Sequence, residues 1–278
     1  MGVYSHRHSD VGHDHSLAQC IKGHVTMAKP ISVQLYSLRE EAKTDFPGVL
    51  RRVAEIGYKG VEPAGFNGLS PQEFKTIVSD LGMVVSSSHG PAATKDSLNE
   101  VIEAAGILEM DLVCRGFGPD AFKDLDVIKR TADEINELIP PLKAAGLNLF
   151  MHNHYWEFAP VGDRLAYDHF AEMCPDVLFE LDTYWSSNFG ANDPAEQVAK
   201  FRDRIPLLHI KDGPLVKGEP MVAAGAGKMD FPSVLAAANP DVLRWVIVEL
   251  DACATDMFTA VEESYNYLVE SGLGEGNA

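Results

Sequence analysis

Several short stretches of the 278-residue chain place ionisable side chains at the ends of apolar runs. Leu207-Leu208-His209-Ile210-Lys211-Asp212 opens with the composition of a buried strand and then presents three ionisable residues in four positions. Side chains alternate across a strand, so His209 and Lys211 share one face while Ile210 points to the other. Val177–Asp182 and Val246–Asp251 end in the same manner, on Asp182 and on Glu249 with Asp251. One imidazole nitrogen and two carboxylates make a mixed nitrogen–oxygen donor set, which suits Mn²⁺, Co²⁺, Zn²⁺ or Mg²⁺ better than a soft, thiophilic ion. Without a cation, two facing carboxylates would repel and lift one pKa. A bound divalent ion removes that conflict.

These stretches belong to a repeating pattern. Strand-like runs at Ile31–Leu38, Gly60–Pro63, Met83–Ser88, Leu112–Cys114, Leu147–Met151, Val177–Leu181, Pro206–Ile210 and Trp245–Leu250 alternate with helical periodicity. The helices are expected from Asp45, from Ser70 to Gly82, over Lys95–Met110, Phe122–Ala145, Leu165–Cys174, Asp193–Arg204 and Phe231–Ala238, and over Thr255–Leu273. Ser70-Pro71-Gln72-Glu73 has an N-cap serine, proline at the first helical position and glutamate at the third. The strands are continuously apolar, as in a parallel sheet buried on both faces. Eight such units predict an α/β fold, a single (β/α)8 TIM barrel over residues 29–275. An open doubly wound sheet would show a glycine-rich turn after its first strand, whereas Tyr36-Ser37-Leu38-Arg39-Glu40 follows here.

Barrel active sites lie at the carboxyl ends of the strands. Those ends carry Gln34 and Tyr36, Glu62, His89, Arg115, His152-Asn153-His154, Asp182, His209 with Lys211, and Glu249 with Asp251. Individually each has an ordinary explanation as a cap, a loop residue or a rim charge. Their joint placement in one layer points to a site.

Composition narrows the function. The net charge of −18 comes from 41 acidic against 23 basic residues, which opposes binding to nucleic acid or an anionic membrane. No run is long enough to span a bilayer, and no basic-then-apolar leader is seen. Four scattered cysteines without a CxxC pair fit reduced thiols in a cytoplasmic protein. Residues 1–28 hold half of the ten histidines among Ser, Asp and Gly; this His-rich extension is expected to be disordered.

The runs Val177–Asp182, Leu207–Asp212 and Val246–Asp251 resemble the xylose-isomerase-like barrels, as do Ile31–Leu38, Gly60-Val61-Glu62 and Gly225–Phe231. That group comprises sugar and sugar-phosphate isomerases, epimerases and inosose-type dehydratases, and the resemblance spans Ile31 to Leu273. It implies a divalent metal, most often Mn²⁺, on Asp182, His209 and Glu249 plus a fifth-strand ligand. Related ketose epimerases carry a glutamate there; this chain has His152-Asn153-His154, with Glu157 further on. His152 or His154 then substitutes as the ligand. With His152 on the metal, His154 or Glu157 lines the pocket.

The expected reaction removes a proton next to a carbonyl to give an enediolate. Glu249 is the first candidate base and Glu157 the second. Lys211 either stabilises charge on oxygen or pairs with Asp182 or Glu180. Glu62, His89, Arg115, His154 and Trp185 are the expected substrate contacts, with Trp156 and Tyr184 flanking. The product follows from reprotonation: an isomer or epimer, or, with loss of a β-hydroxyl, a lyase or dehydratase product from a 3-keto-sugar or inosose. A nuclease acting at abasic sites shares the barrel but conflicts with the charge, and a silent sugar-binding barrel conflicts with the Asp182, His209 and Glu249 set. A carbohydrate substrate and pairing into a homo-oligomer are expected, with Gly213–Asp230 covering the mouth or meeting a neighbour.

Overall fold

The computed structural model describes residues 28–277, so the histidines of the N-terminal extension lie outside the described residues. The strands are β1 (Lys29–Gln34), β2 (Gly60–Glu62), β3 (Val84–Val85), β4 (Leu112–Arg115), β5 (Asn148–His152), β6 (Pro160–Val161), β7 (Arg164–Leu165), β8 (Leu178–Asp182), β9 (Leu207–Ile210), β10 (Trp245–Val248) and β11 (Gly274–Glu275). The helices are α1 (Arg39–Ile56), α2 (Pro71–Asp80), α3 (Leu98–Leu108), α4 (Leu125–Ala144), α5 (Ala166–Met173), α6 (Thr183–Ser186), α7 (Pro194–Phe201), α8 (Phe231–Ala237) and α9 (Met257–Glu270). Eight parallel strands run β3-β2-β1-β10-β9-β8-β5-β4 in a curled sheet, with β11 beside β1 and with β6 and β7 as a separate hairpin. This is the (β/α)8 barrel.

Local chemistry sets most boundaries. Ser70 and Glu73 form the reciprocal cap of α2: Glu73 N–H donates to Ser70 Oγ and Ser70 N–H to the Glu73 carboxylate. Asp124, Asp193, Asp230 and Asp256 cap α4, α7, α8 and α9 through their side chains. Helix α1 starts six residues before the expected Asp45. A kink at Asp45 (φ −149°, ψ 77°) divides it, and Asp45 Oδ1 accepts the Gly48 N–H at 2.9 Å, as a cap for the second segment.

The third strand departs most from expectation. Met83–Ser88 reads as a strand, yet only Val84–Val85 joins the ladder. Ser86 and His89 still follow β2, donating their N–H groups to Val61 and Pro63 carbonyls at 3.0 Å. No ladder joins β3 to β4. One backbone bond, Ala93 N–H to the Cys114 carbonyl at 2.9 Å, spans that side, and the seam stays open above it.

The segment after β9 is anchored at both ends. The buried Asp212 carboxylate accepts N–H groups from Gly213, Gly225, Gly227 and Met229 at 2.8–3.1 Å. Met221 pairs with Ala252 and Ala254 beyond β10. A Cβ on Gly227 would fall 2.1 Å from Asp212 Oδ1 and 2.5 Å from Gly213 N, so only glycine lets the loop close on that carboxylate. Gly227→Ala is expected to destabilise by about 2 kcal/mol, within the range for lost buried hydrogen bonds. Gly106→Ala, in α3 with open space around its Cβ, is expected to stabilise by roughly 0.5–1 kcal/mol. Urea midpoints at constant m-value measure both.

Candidate active site

The barrel interior follows the strand pleat. Leu112, Cys114, Phe150, Leu207 and Ile247 form a small apolar cluster apart from the main core. Two residues further along, the same inward positions turn ionisable: His152 after Phe150, His209 after Leu207 and Glu249 after Ile247. On β8 the change comes one step earlier, so Glu180 and Asp182 share the face. The buried groups at the strand ends thus form two layers that meet at His209.

In the upper layer His152, Asp182, His209 and Glu249 each bring one donor atom within 4.8 Å of the others. His209 Nδ1 lies 2.9 Å from Glu249 Oε2 and 4.0 Å from Asp182 Oδ2. His152 Nε2 lies 3.6 Å from Asp182 Oδ2. The buried His152 Nε2 makes no hydrogen bond, and Asp182 Oδ2 has the Lys211 ammonium 3.0 Å away. Buried polar atoms without partners are uncommon, and four donors converging from four strands fit a divalent cation of the mixed-donor type. Asn153 bonds the Asp182 backbone in both directions, fixing that strand end.

Lys211 is wholly buried and lies 3.0 Å from Asp182, 2.7 Å from Glu249 and 2.7 Å from Asp251. Burial opposes its charge, but those carboxylates outweigh it and raise its pKa well above the usual lysine value. It pairs with Asp182 and not with Glu180. Burial likewise opposes ionisation of Glu249; Lys211 and His209 prevail and hold it well below the ordinary carboxylate value.

In the lower layer Glu62 and Glu180 have zero exposure. Glu62 Oε1 accepts from Gln34 Nε2 at 2.6 Å and lies 2.8 Å from His209 Nε2; Ser87 Oγ donates to Oε2. Glu180 Oε2 lies 2.5 Å from His89 Nε2. Burial opposes charging of His89, yet Glu62 and Glu180 raise it to about 9. Glu180, faced by both imidazoles, is held low against its burial. Burial and the Glu180 charge push Glu62 up.

A cavity of about 490 Å³ opens above these layers. It is lined by Tyr36, His89, His152, Trp156, Glu249 and Asp251, with Gly116–Gly118 at its edge. His154 also lines it, stacked on Trp156 with ring centroids 4.1 Å apart. Burial, then His152, brings His154 down to about 3, so it faces the cavity as a neutral ring.

Four expected contacts are placed elsewhere. Glu62 is sealed below His209 because its carboxylate is the acceptor that the buried imidazole needs. Arg115 turns back along the wall to Glu134 at 2.8 Å and over the Phe117 ring. Trp185 packs among Tyr155, Tyr184 and Phe189. Glu157 has zero exposure and sits behind the His154 turn, accepting the His154 N–H at 2.9 Å. Conversely Glu180, Asp251 and Gln34 belong to the charged layers. Strand alternation from Asp182 and Glu249 reaches Glu180 and Asp251 directly; the role of Gln34 depends on β1–β2 register.

The sequence model described as xylose isomerase-like TIM barrel matches residues 50–268. A sugar phosphate isomerase/epimerase from Parabacteroides distasonis is 26% identical, with a TM-score of 0.74 over 91% of this chain and 98% of that one. A D-allulose 3-epimerase from Methylomonas sp. (15% identity, TM-score 0.64, 88% of this chain and 98% of that one) and a probable 3-DHS dehydratase from Bacillus anthracis (11%, 0.67, 86% and 98%) share the fold. No curated protein gives a significant sequence match. Among the described residues no helix is long and apolar enough to cross a membrane.

Burial raises the Glu157 carboxyl from 4.5 to about 8. A carboxyl whose folded pKa lies above its unfolded one binds more protons folded, so its contribution to stability declines as pH rises from about 4.5 to about 8. Glu157→Gln keeps an acceptor for His154 N–H without the charge. At pH 9 the variant should exceed the parent by at least about 1.4 kcal/mol, the worth of one pKa unit, and the gain should disappear by pH 4. Urea titrations across that range check it.

Proposed function

This chain belongs to the xylose isomerase-like TIM barrel family, and on that premise we propose that it is a divalent-metal-dependent isomerase or epimerase of a sugar, sugar phosphate or keto-sugar. The observation that carries the reading is the convergence of His152, Asp182, His209 and Glu249 beneath the cavity, with the buried His152 Nε2 lacking a hydrogen-bond partner. The description of the Parabacteroides protein as a sugar phosphate isomerase/epimerase supports the substrate class.

Those four residues would hold the metal, and Mn²⁺ is the first choice for the mixed donors. When bound there, the ion supplies Lewis-acid polarisation of a carbonyl and its neighbouring hydroxyl. Glu249, kept ionised by Lys211 and His209 and lining the cavity, removes the proton on the adjacent carbon. Lys211, held charged by its carboxylates, stabilises negative charge on the substrate oxygen. His89 lines the cavity as an imidazolium and is placed to return a proton. The His154–Trp156 stack offers a flat apolar wall to the C–H face of a sugar.

One observation favours a second reading. The fifth strand gives the cavity the neutral His152 and His154 and no carboxylate, while Glu157 is buried behind. An epimerase that uses a carboxylate on each side of the carbon lacks the second one here. Elimination of a β-hydroxyl from a 3-keto-sugar requires one base, which Glu249 supplies, and a proton for the departing hydroxyl, which His89 supplies, and gives an enone and water.

Incubating the Mn²⁺-loaded protein with a keto-sugar panel in D₂O separates the two. Deuterium at one carbon without loss of water is expected; an enone product overturns isomerisation in favour of a lyase. Lys211→Met should reduce turnover by about 10²-fold or more. His209→Ala should abolish exchange together with metal retention.

A further inference from the structure

Two carboxylates reach the cavity from the chain just past β10, Glu249 and Asp251. Glu249 is almost wholly buried, whereas the Asp251 side chain is 33% exposed. Lys211 donates to Asp251 Oδ2 at 2.7 Å. We propose that Asp251 is a specificity-determining residue, which accepts a hydroxyl of an uncharged sugar and turns away the phosphate ester of the same sugar. This rests on the isomerase or epimerase reading and narrows its substrate class.

The basic groups around the cavity are all committed to other partners. Lys211 is 1% exposed and meets Asp182, Glu249 and Asp251 at 2.7–3.0 Å. Arg39 stacks on the Tyr36 ring at 4.1 Å and donates to the Tyr36 and Asp251 carbonyls at 2.8 and 2.7 Å. Arg115 donates to Glu134 at 2.8 Å and lies over the Phe117 ring. Lys217 sits over the Tyr155 ring at 5.0 Å, outside the lining. Among the described residues no lysine or arginine lines the cavity. His89 does line it, but Glu62 and Glu180 stand 3.3 and 2.5 Å from its Nε2, so a positive charge there is matched from below.

An ionised carboxylate accepts hydrogen bonds and donates none. Lys211 engages Asp251 through Oδ2 alone, which leaves Oδ1 to take a sugar hydroxyl. A phosphate dianion brings only acceptors and like charge to the same place. Juxtaposed like charges reject a wrong partner more than they alter a right one. The net charge of −18 adds a field that disfavours the approach of an anion.

The uncharged part of the lining fits the same substrate. Tyr36, Phe117 and Trp156 place aromatic rings around the cavity, Tyr36 at its exposed rim. Aromatic faces are electron-rich: they pack against the C–H face of a sugar and give a phosphate no counter-charge.

Pairs of keto-sugars, each with and without a terminal phosphate, test the proposal on the Mn²⁺-loaded full chain. The rate at low sugar concentration, read as deuterium uptake in D₂O or as loss of water, should favour the uncharged member by about tenfold or more. A phosphorylated member that reacts as fast or faster overturns the proposal and leaves the isomerase or epimerase reading standing. An enone from the uncharged member keeps the charge preference and moves it to the lyase reading. No reaction in any pair removes both readings, and the proposal with them. Asp251→Asn should raise KM for the uncharged member and lower it for the phosphorylated one. A fall in kcat common to both members, with each KM unmoved, would reduce Asp251 to a prop for Lys211 and overturn its role in specificity. Tyr36→Lys places an ammonium at the exposed rim and should shift the preference toward the phosphate by about tenfold. Binding gives a readout apart from turnover. In chelator-treated protein, where a phosphate has no ion to ligate, tryptophan fluorescence should show a hexitol phosphate held more tightly by Asp251→Asn and by Tyr36→Lys than by the parent. Unchanged affinity in both variants overturns the proposal.

Discussion

Carboxylate burial around one imidazole is the constraint on which this barrel mouth depends. Glu62, Glu180, Asp182 and Glu249 are all at most 4% exposed and all lie within 4.0 Å of the His209 ring nitrogens. Unpaired, such charges would cost several kcal/mol each. His209 connects them because its two nitrogens point to opposite layers, and its backbone is fixed on both sides. β9 lies between β8 and β10, with Asp182 and Ile247 opposite His209 in the ladders. Its carbonyl accepts Thr183 Oγ1 at 2.9 Å. Moving this strand by one residue would turn the imidazole into the outer apolar shell and leave four acids without it.

The same alternation explains why the barrel interior is apolar below and charged above. Inward positions on β5, β9 and β10 pass from Phe150, Leu207 and Ile247 to His152, His209 and Glu249 in single steps of two. The apolar plug closes the bottom of the barrel to water, so every charge above it faces a poorly screened partner. That setting drives the pKa values apart: His154 neutral at about 3, His89 charged at about 9. Two imidazoles at one cavity are thereby given opposite protonation states by what lies behind them.

Much of this was legible in the residues themselves. Continuous apolar runs, the Ser70 cap and the ionisable strand ends lead to the barrel and to His152, Asp182, His209 and Glu249 as neighbours. What escaped depends on tertiary direction. A strand end locates Arg115 at the mouth but cannot reveal that Glu134, on α4, draws its side chain back into the wall. Glu157 follows His154 closely, yet the turn between them directs its carboxylate inward under the backbone. Glu62 reads as a rim acid until the β1–β2 register brings Gln34 beside it. Glu180 is the instructive case: alternation from Asp182 puts it on the inner face, but its partner, His89, is 91 residues away in sequence.

The seam between β3 and β4 shows how an incomplete ladder serves the site. Had Ser86–His89 paired with β4, the His89 side chain would be tied into a closed wall. With β3 laddered only over Val84–Val85, Ser86 and His89 stay on β2 without pairing with β4, and the chain carries the His89 ring under the cavity, 4.9 Å from His152 and 5.5 Å from His209 between centroids. Opposite it, Gly116 and Gly118 present no side chain, and a Cβ at either would meet nothing within 4 Å. The cavity is lined from the ends of β1, β4, β5 and β10 as well as by His89, and the charged groups below it remain covered by the strands. The seven paired interfaces keep the acids out of water.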